Sequence, residues 1–225
     1  MKLAGLTHYR TSINWSRFLT DYENVTVDEE YAAYYDQLFD ALLANGITPM
    51  ICLEHYELPG YLLEKYGGWG SKTVVELFVR YAEKVFARYH PKVTRWFTFN
   101  EPIVVQTRVY LDALRWPYEQ NTSTWMQWNY HKVLATASVV KRFRELGYPG
   151  TIGCILNPEV TYPRSRAPHD LRAAEIYDLF YNRMFLDPLV HGVWPPELLA
   201  LLEQHQGDVG DQRGGSGGYP RAHRR

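Results

Sequence analysis

Long hydrophobic runs are missing from this 225-residue chain. No stretch of about 18 apolar residues occurs, so no segment reads as a membrane span. Charge of one sign is missing too. Lys and Arg number 24 against 25 Asp and Glu, a formal charge of −1. That balance argues against nucleic acid or an anionic membrane surface as the main partner. Cysteine is scarce, with Cys52 and Cys154 the only two. They fall in two predicted strands with another between them, outside disulfide reach. The chain therefore reads as a reduced, cytoplasmic protein. The first ten residues lack the apolar core of a signal peptide. No His or Cys spacing suggests a zinc site, and no metal or cofactor is implied. Internal repeats are absent as well.

Aromatic residues are abundant instead, at 15% of the chain, with 18 Tyr and 7 Trp. Such rings either stack on sugars or fill cores, and core filling accounts for most of them. An apolar fraction of 46% over this length is ample for one domain with a real core. Met1 to Leu6 reads as the tail of a helix ending near Gly5. Thr7–Trp15 alternates like a strand. Thr26 and Glu29 form a capping-box pattern that opens a helix to about Asn45, with Tyr31, Tyr34, Tyr35, Leu38, Leu42 and Leu43 as its buried stripe and Gly46 as its stop. Thr48–Glu54 is a strand. Ser71 caps a helix whose apolar residues recur at 3,4 spacing to Arg88, and Val93–Asn100 is the next strand. A loop runs from Ile103 to about Thr122, and a helix of about 22 residues leads to Gly147. A strand over Thr151–Leu156 and helices over Ala167–Phe185 and Pro196–His205 complete the order. Strand and helix alternate four times, which implies an α/β fold with a parallel sheet. Residues 207–225 change character, with six Gly and four Arg in 19 residues and no apolar periodicity, and read as a disordered tail.

The chemistry-bearing stretch is Trp96-Phe97-Thr98-Phe99-Asn100-Glu101-Pro102. It starts as an apolar, β-prone run and stops where Pro102 cannot donate to a sheet ladder. Asn100 and Glu101 are displayed at the strand's C-terminal end, where (β/α) barrels carry chemistry. Burial beside aromatic rings disfavours a carboxylate's charge, and a protonated Glu is the acid that glycoside hydrolysis needs at the leaving oxygen. The plainer reading is a strand-end Glu paired with a cation, and for the tripeptide by itself that reading stays open.

Thr98-Phe99-Asn100-Glu101-Pro102 resembles the acid/base signature of glycoside hydrolase family 1, the β-glucosidase and 6-phospho-β-glucosidase family. Tyr9-Arg10-Thr11-Ser12-Ile13-Asn14-Trp15-Ser16-Arg17 resembles its second-strand motif, His55-Tyr56-Glu57-Leu58-Pro59 its third-strand motif, and Gly67-Gly68-Trp69 the turn that follows. The likeness runs from Met1 to about Gln206 and implies strands two to five of a (β/α)₈ TIM barrel, about four β-α units. It further implies Glu101 as acid/base, Asn100 on the sugar 2-hydroxyl and His55 on another sugar hydroxyl. Arg10, at a strand end, would favour the ionised form of the nucleophile. The implied partner is a β-glucoside or phospho-β-glucoside. Trp116 and Tyr118 are loop aromatics that either line the aglycone side or simply pack.

One departure matters. Retaining glycosidases use a second carboxyl about 5–5.5 Å from the first. The family writes it as Thr-Glu-Asn-Gly on strand seven, and no such tetrapeptide occurs here. Glu54, Glu119 and Glu159 are poor substitutes; Glu159 follows the fourth strand, and a polar loop residue is the commoner case. The family's first strand and helix are absent before Met1, and its barrel continues where the Gly/Arg-rich tail begins, which reads as a truncation or a shifted frame. Three functions therefore stand side by side: a family 1 glycosidase segment, an inactive remnant, and a sugar-binding fragment without turnover. Four strands cannot close a barrel of this size, which leaves two open sheet edges and an uncovered inner face. We expect the purified chain to self-associate through those edges or to bind a hydrophobic dye strongly. A compact, dye-negative monomer on sizing contradicts this.

Overall fold

The computed structural model describes residues 1–115 and 117–204. Four strands form one parallel sheet: β1 (His8–Ser12), β4 (Thr48–Glu54), β5 (Arg95–Asn100) and β6 (Thr151–Ile155), in the order β1-β4-β5-β6. Each pair of neighbours is separated by helix, as a parallel sheet requires. A short ribbon, β2 (Leu19–Asp21) with β3 (Thr26–Val27), is antiparallel. The architecture is the α/β, parallel-sheet arrangement expected of part of a (β/α) barrel. Within the sheet β1 and β6 each pair on one side only, and β6 holds no buried residue.

The described residues divide into two compact units, one of residues 1–102 with 134–155, the other of residues 103–133 with 156–204. In the first unit, α2 (Glu29–Ala44) follows β1, and α3 (Gly60–Tyr66) and α4 (Lys72–Tyr89) follow β4. Ser71 caps α4 by accepting from the Thr73 amide, and Val74, Val75, Phe78, Tyr81, Ala82, Val85 and Phe86 are all buried, as the 3,4 spacing predicts. The aromatic surplus is spent here. Trp15 stacks on Tyr81 at 5.4 Å, and Phe78 stacks on Phe99 at 4.9 Å. Trp69 meets Phe99 edge-on at 5.2 Å. The Tyr81 hydroxyl, itself buried, shares its single proton between the carbonyls of Ile13 and Leu53, both at 3.1 Å. It thereby ties the chain leaving β1 to the C-terminal end of β4. Gly150 is required where it stands: its φ is +124°, and an added Cβ would lie 2.2 Å from the Thr94 carbonyl oxygen.

The structure corrects several local expectations. Met1–Leu6 holds a 3₁₀ turn, Lys2–Ala4, closed by Gly5 in the left-handed region. β1 ends at Ser12, because Asn14 turns the chain into a short helix, α1 (Trp15–Phe18), by accepting from the Arg17 amide. Arg10 is consequently mid-strand rather than at a strand end. Asp28, not Thr26, caps α2: its carboxylate accepts from Tyr31 N at 2.9 Å, while Thr26 pairs in the ribbon. Ala32, Tyr35, Phe39 and Leu42 form the buried face of α2, and Tyr34 and Leu43 are exposed. Cys52 on β4 and Cys154 on β6 are not joined in a disulfide, and β5 lies between the two strands.

In the second unit, the stretch expected as a loop starts with α5 (Pro102–Gln106) and a π-helical turn, Thr107–Leu111. Helix α6 (Thr122–Leu146) contributes residues to both units. The helix expected over 167–185 is broken: α7 (Pro168–Asp178) gives way to a π turn, Leu179–Arg183, before α8 (Met184–His191). With α9 (Pro196–Gln204) these elements enclose a core of Trp125, Met126, Leu179, Phe185 and Leu198. Residues 205–225, including the tail expected to be disordered, lie outside the described residues. Tyr81→Phe should lower the unfolding free energy by about 1–3 kcal/mol, because it strands two buried carbonyls. Urea denaturation measures this; an unchanged midpoint would show that the two bonds do not hold β1 and β4 together.

Candidate active site

Four polar side chains meet at the C-terminal end of the sheet. Asn100 is the last residue of β5 and only 4% exposed. Its Oδ1 accepts from Arg10 Nη2, which reaches across from β1. Glu101 follows at φ 44°, in the left-handed region, with its amide bonded to the Ile155 carbonyl of β6 at 2.8 Å. Its Oε2 accepts from the Tyr56 hydroxyl. Tyr56 also has a left-handed backbone, with φ 73°. Two non-glycine residues in that region, just past the ends of neighbouring strands, are strained. The strain turns the phenol of one onto the carboxylate of the other.

Burial and neighbouring groups shift Tyr56 and His55 in opposite directions. Burial raises the Tyr56 phenol well above its ordinary value, and the bond to Glu101 raises it further; a hydrogen bond with Asn100 works the other way. Tyr56 therefore stays protonated and donates. His55 lies below its ordinary value, chiefly through burial and next through the Arg10 cation, with Glu101 opposing. A neutral imidazole offers one donor and one acceptor, which suits a sugar hydroxyl. Its ring meets Tyr56 edge-on at 4.9 Å, and its amide donates to Glu57 Oε2 at 3.0 Å.

The structure thus gathers Arg10, His55, Asn100 and Glu101 in one place. Tyr56 was missed by the sequence reading. Its only signal is its position inside His55-Tyr56-Glu57-Leu58-Pro59, since the contact that brings it into the site is with a residue 45 positions away. Glu54 sits at the end of β4, in register with Phe99 and 1% exposed. With burial as the larger cause, its charge helps push the Cys52 thiol up to about 12. Glu159 belongs to the second unit, and Tyr118 is exposed in the loop after the first π turn. Trp116 lies outside the described residues. Among the described residues, no three His, Cys, Asp or Glu side chains group as metal ligands. The arrangement offers a carboxyl group held by a phenol, an amide fixed by a guanidinium and a neutral imidazole.

Known proteins share this chain's sequence and fold. The 6-phospho-beta-glucosidase GmuD of Bacillus subtilis (strain 168) is 38% identical over 94% of this chain and 45% of its own length. The psychrophilic beta-glucosidase BglU from Micrococcus antarcticus superposes with a TM-score of 0.82 at 36% identity, covering 89% of this chain and 42% of that one. The virulence factor SghA of Agrobacterium tumefaciens, solved with its substrate analog salicin, gives a TM-score of 0.84 at 32% identity over 90% of this chain and 44% of its own. The chain spans less than half the length of these proteins. Residues 1–215 match the model of glycosyl hydrolase family 1, and the chain belongs to that family.

Proposed function

We propose that this chain carries the acid/base half of a retaining β-glycosidase site for β-glucosides or 6-phospho-β-glucosides. The observation that carries the reading is Glu101, set at the strand end by a left-handed backbone and held by Tyr56 beside the Arg10–Asn100 pair. Glu101 protonates the leaving oxygen and then activates water. Asn100 holds the sugar 2-hydroxyl, a bond that strengthens as the ring flattens toward an oxocarbenium ion. Its Oδ1 is occupied by Arg10 and its NH₂ is shared with Tyr56, which leaves one N–H to donate to the sugar. His55 binds a second hydroxyl. Arg10 orients Asn100 and places a cation where the family's nucleophile belongs.

The phosphorylated substrate class is supported by GmuD and by the 6-phospho-beta-glucosidase of Dickeya chrysanthemi, 36% identical over 85% of this chain. Two cysteines outside any disulfide support a reducing, cytoplasmic setting. No helix among the described residues is long and apolar enough to cross a membrane. The absence of Thr-Glu-Asn-Gly supports a corollary: the 225-residue chain has its acid but no nucleophile, and by itself does not turn over.

An external nucleophile tests the reading. Purified chain is incubated with phenyl β-glucoside, or its 6-phosphate, with and without azide. Azide attacks the anomeric carbon as the glycosidic C–O bond breaks, and Glu101 gives its proton to the departing phenolate. We expect no phenol release without azide, release with azide, and a loss of about 10²–10⁴-fold in the azide-dependent rate for Glu101→Gln. No azide-dependent release, or release indifferent to Glu101→Gln, overturns the assignment. Release without azide shows that the chain holds a nucleophile of its own.

A further inference from the structure

Residues 55–59 run from the end of β4 to the start of α3 and carry two side chains of the candidate site, His55 and Tyr56. Tyr56 holds a left-handed backbone there, which persists only where the surroundings enforce it. Helix α3 does not supply that enforcement by itself. It has seven residues, of which only Leu62 is buried, and Pro59 at its N-cap has no side-chain oxygen to cap it. A helix that short is marginal without tertiary contacts.

The contacts come from the ribbon of β2 and β3. Its turn is preset: Asp21 accepts from the Glu23 and Asn24 amides, both at 2.9 Å, and from Asn24 Nδ2 at 2.7 Å. Arg80 of α4 donates to the Glu23 carbonyl at 2.8 Å. The Glu23 carboxylate then meets three donors of α3 with one oxygen, Oε1: Lys65 Nζ, the Tyr61 hydroxyl at 2.9 Å and the Tyr66 hydroxyl at 2.5 Å. Tyr22 stacks on Tyr61 with centroids 5.8 Å apart, and its own hydroxyl donates to the Ser16 carbonyl of α1 at 2.8 Å. The Lys65 ammonium, then Tyr66 and Tyr61, hold the Glu23 carboxyl down at about 2, so it stays an acceptor.

We propose that Glu23 is a positioning residue: it clamps α3 to the ribbon and so holds His55 and Tyr56 at the site. A lone exposed ion pair would hold little. Here three donors share one carboxylate, and they span α3 from its second residue to its last, so both the place and the rotation of the helix are fixed. The effect on rate rests on the glycosidase reading; the effect on the loop does not.

The His55 ring reports on the loop. Burial and the Arg10 cation hold it below its ordinary value, Glu101 opposes them, and Glu57 of the same loop bonds its amide. A loosened loop gives up burial, so the ring titrates higher, toward about 6.5. NMR titration of the full chain measures this, with the His55 signal assigned by its loss in His55→Gln. We expect an upward shift in Glu23→Ala and a smaller one in Glu23→Gln, which keeps an oxygen for both phenols. Glu29→Ala removes a partner of Arg88 elsewhere on the same unit and should leave the ring where it is. The azide-dependent rate of Glu23→Ala should fall, by up to about 10²-fold. The proposal is overturned if His55 titrates alike in the unsubstituted chain and both Glu23 variants, if Glu29→Ala shifts it as much, or if an active chain keeps its full rate in Glu23→Ala. If the unsubstituted chain releases no phenol with azide, the glycosidase reading fails and the His55 titration still decides the clamp.

Discussion

The hydrogen bond between the Tyr56 hydroxyl and the Glu101 carboxylate joins the ends of two neighbouring strands, and the site is assembled around it. Both residues hold left-handed backbones, which cost of order 1–3 kcal/mol each and persist only when the surroundings enforce them. The enforcement is visible. Glu101 is tied to β6 through its amide, and β5 lies over Trp69 and Phe78 through Phe99. From Tyr56 the polar chain continues to Asn100 and on to Arg10. The guanidinium selects the orientation of the amide, and burial keeps the phenol protonated so that it can donate. Geometry and protonation are set by the same contacts.

Aromatic packing beneath the sheet gives this chain a rigid base. Trp15, Trp69, Phe78, Tyr81 and Phe99 are all essentially buried, and the hydroxyl of Tyr81 ends on two strand carbonyls. Strand ends held in this way position side chains more narrowly than loops do. The second unit uses the same materials differently. Its rings face a cavity as well as a core, and its two π turns replace regular helix where regular helix would carry the side chains elsewhere.

Much of the fold was legible because its signals are local. Ser71, the 3,4 stripe of α4 and the halt at Pro102 each act within a few residues. His55, Asn100 and Glu101 were legible through motifs that close strands, and Arg10 through the motif on β1, although it lies mid-strand; the sheet brings the four together. What could not be read depends on long-range or subtle geometry. Tyr56 acquires its function from a carboxylate 45 positions away. The π turn at Leu179–Arg183 has nearly the periodicity of an α-helix, so 167–185 reads as one helix. Thr26 and Glu29 match a capping box, yet Asp28 is nearer the helix and wins the cap once Thr26 enters the ribbon.

The central claim is that Arg10, Asn100 and Tyr56 act as one unit to hold Glu101, the proposed acid. A double-mutant cycle tests it most directly, with the azide-dependent rate measured for Tyr56→Phe, Arg10→Met and the pair together. The account predicts that the two losses do not add, because each substitution already releases the chain of contacts that the other would break. Losses that add in full would contradict it, and would make Tyr56 and Arg10 independent neighbours of Glu101.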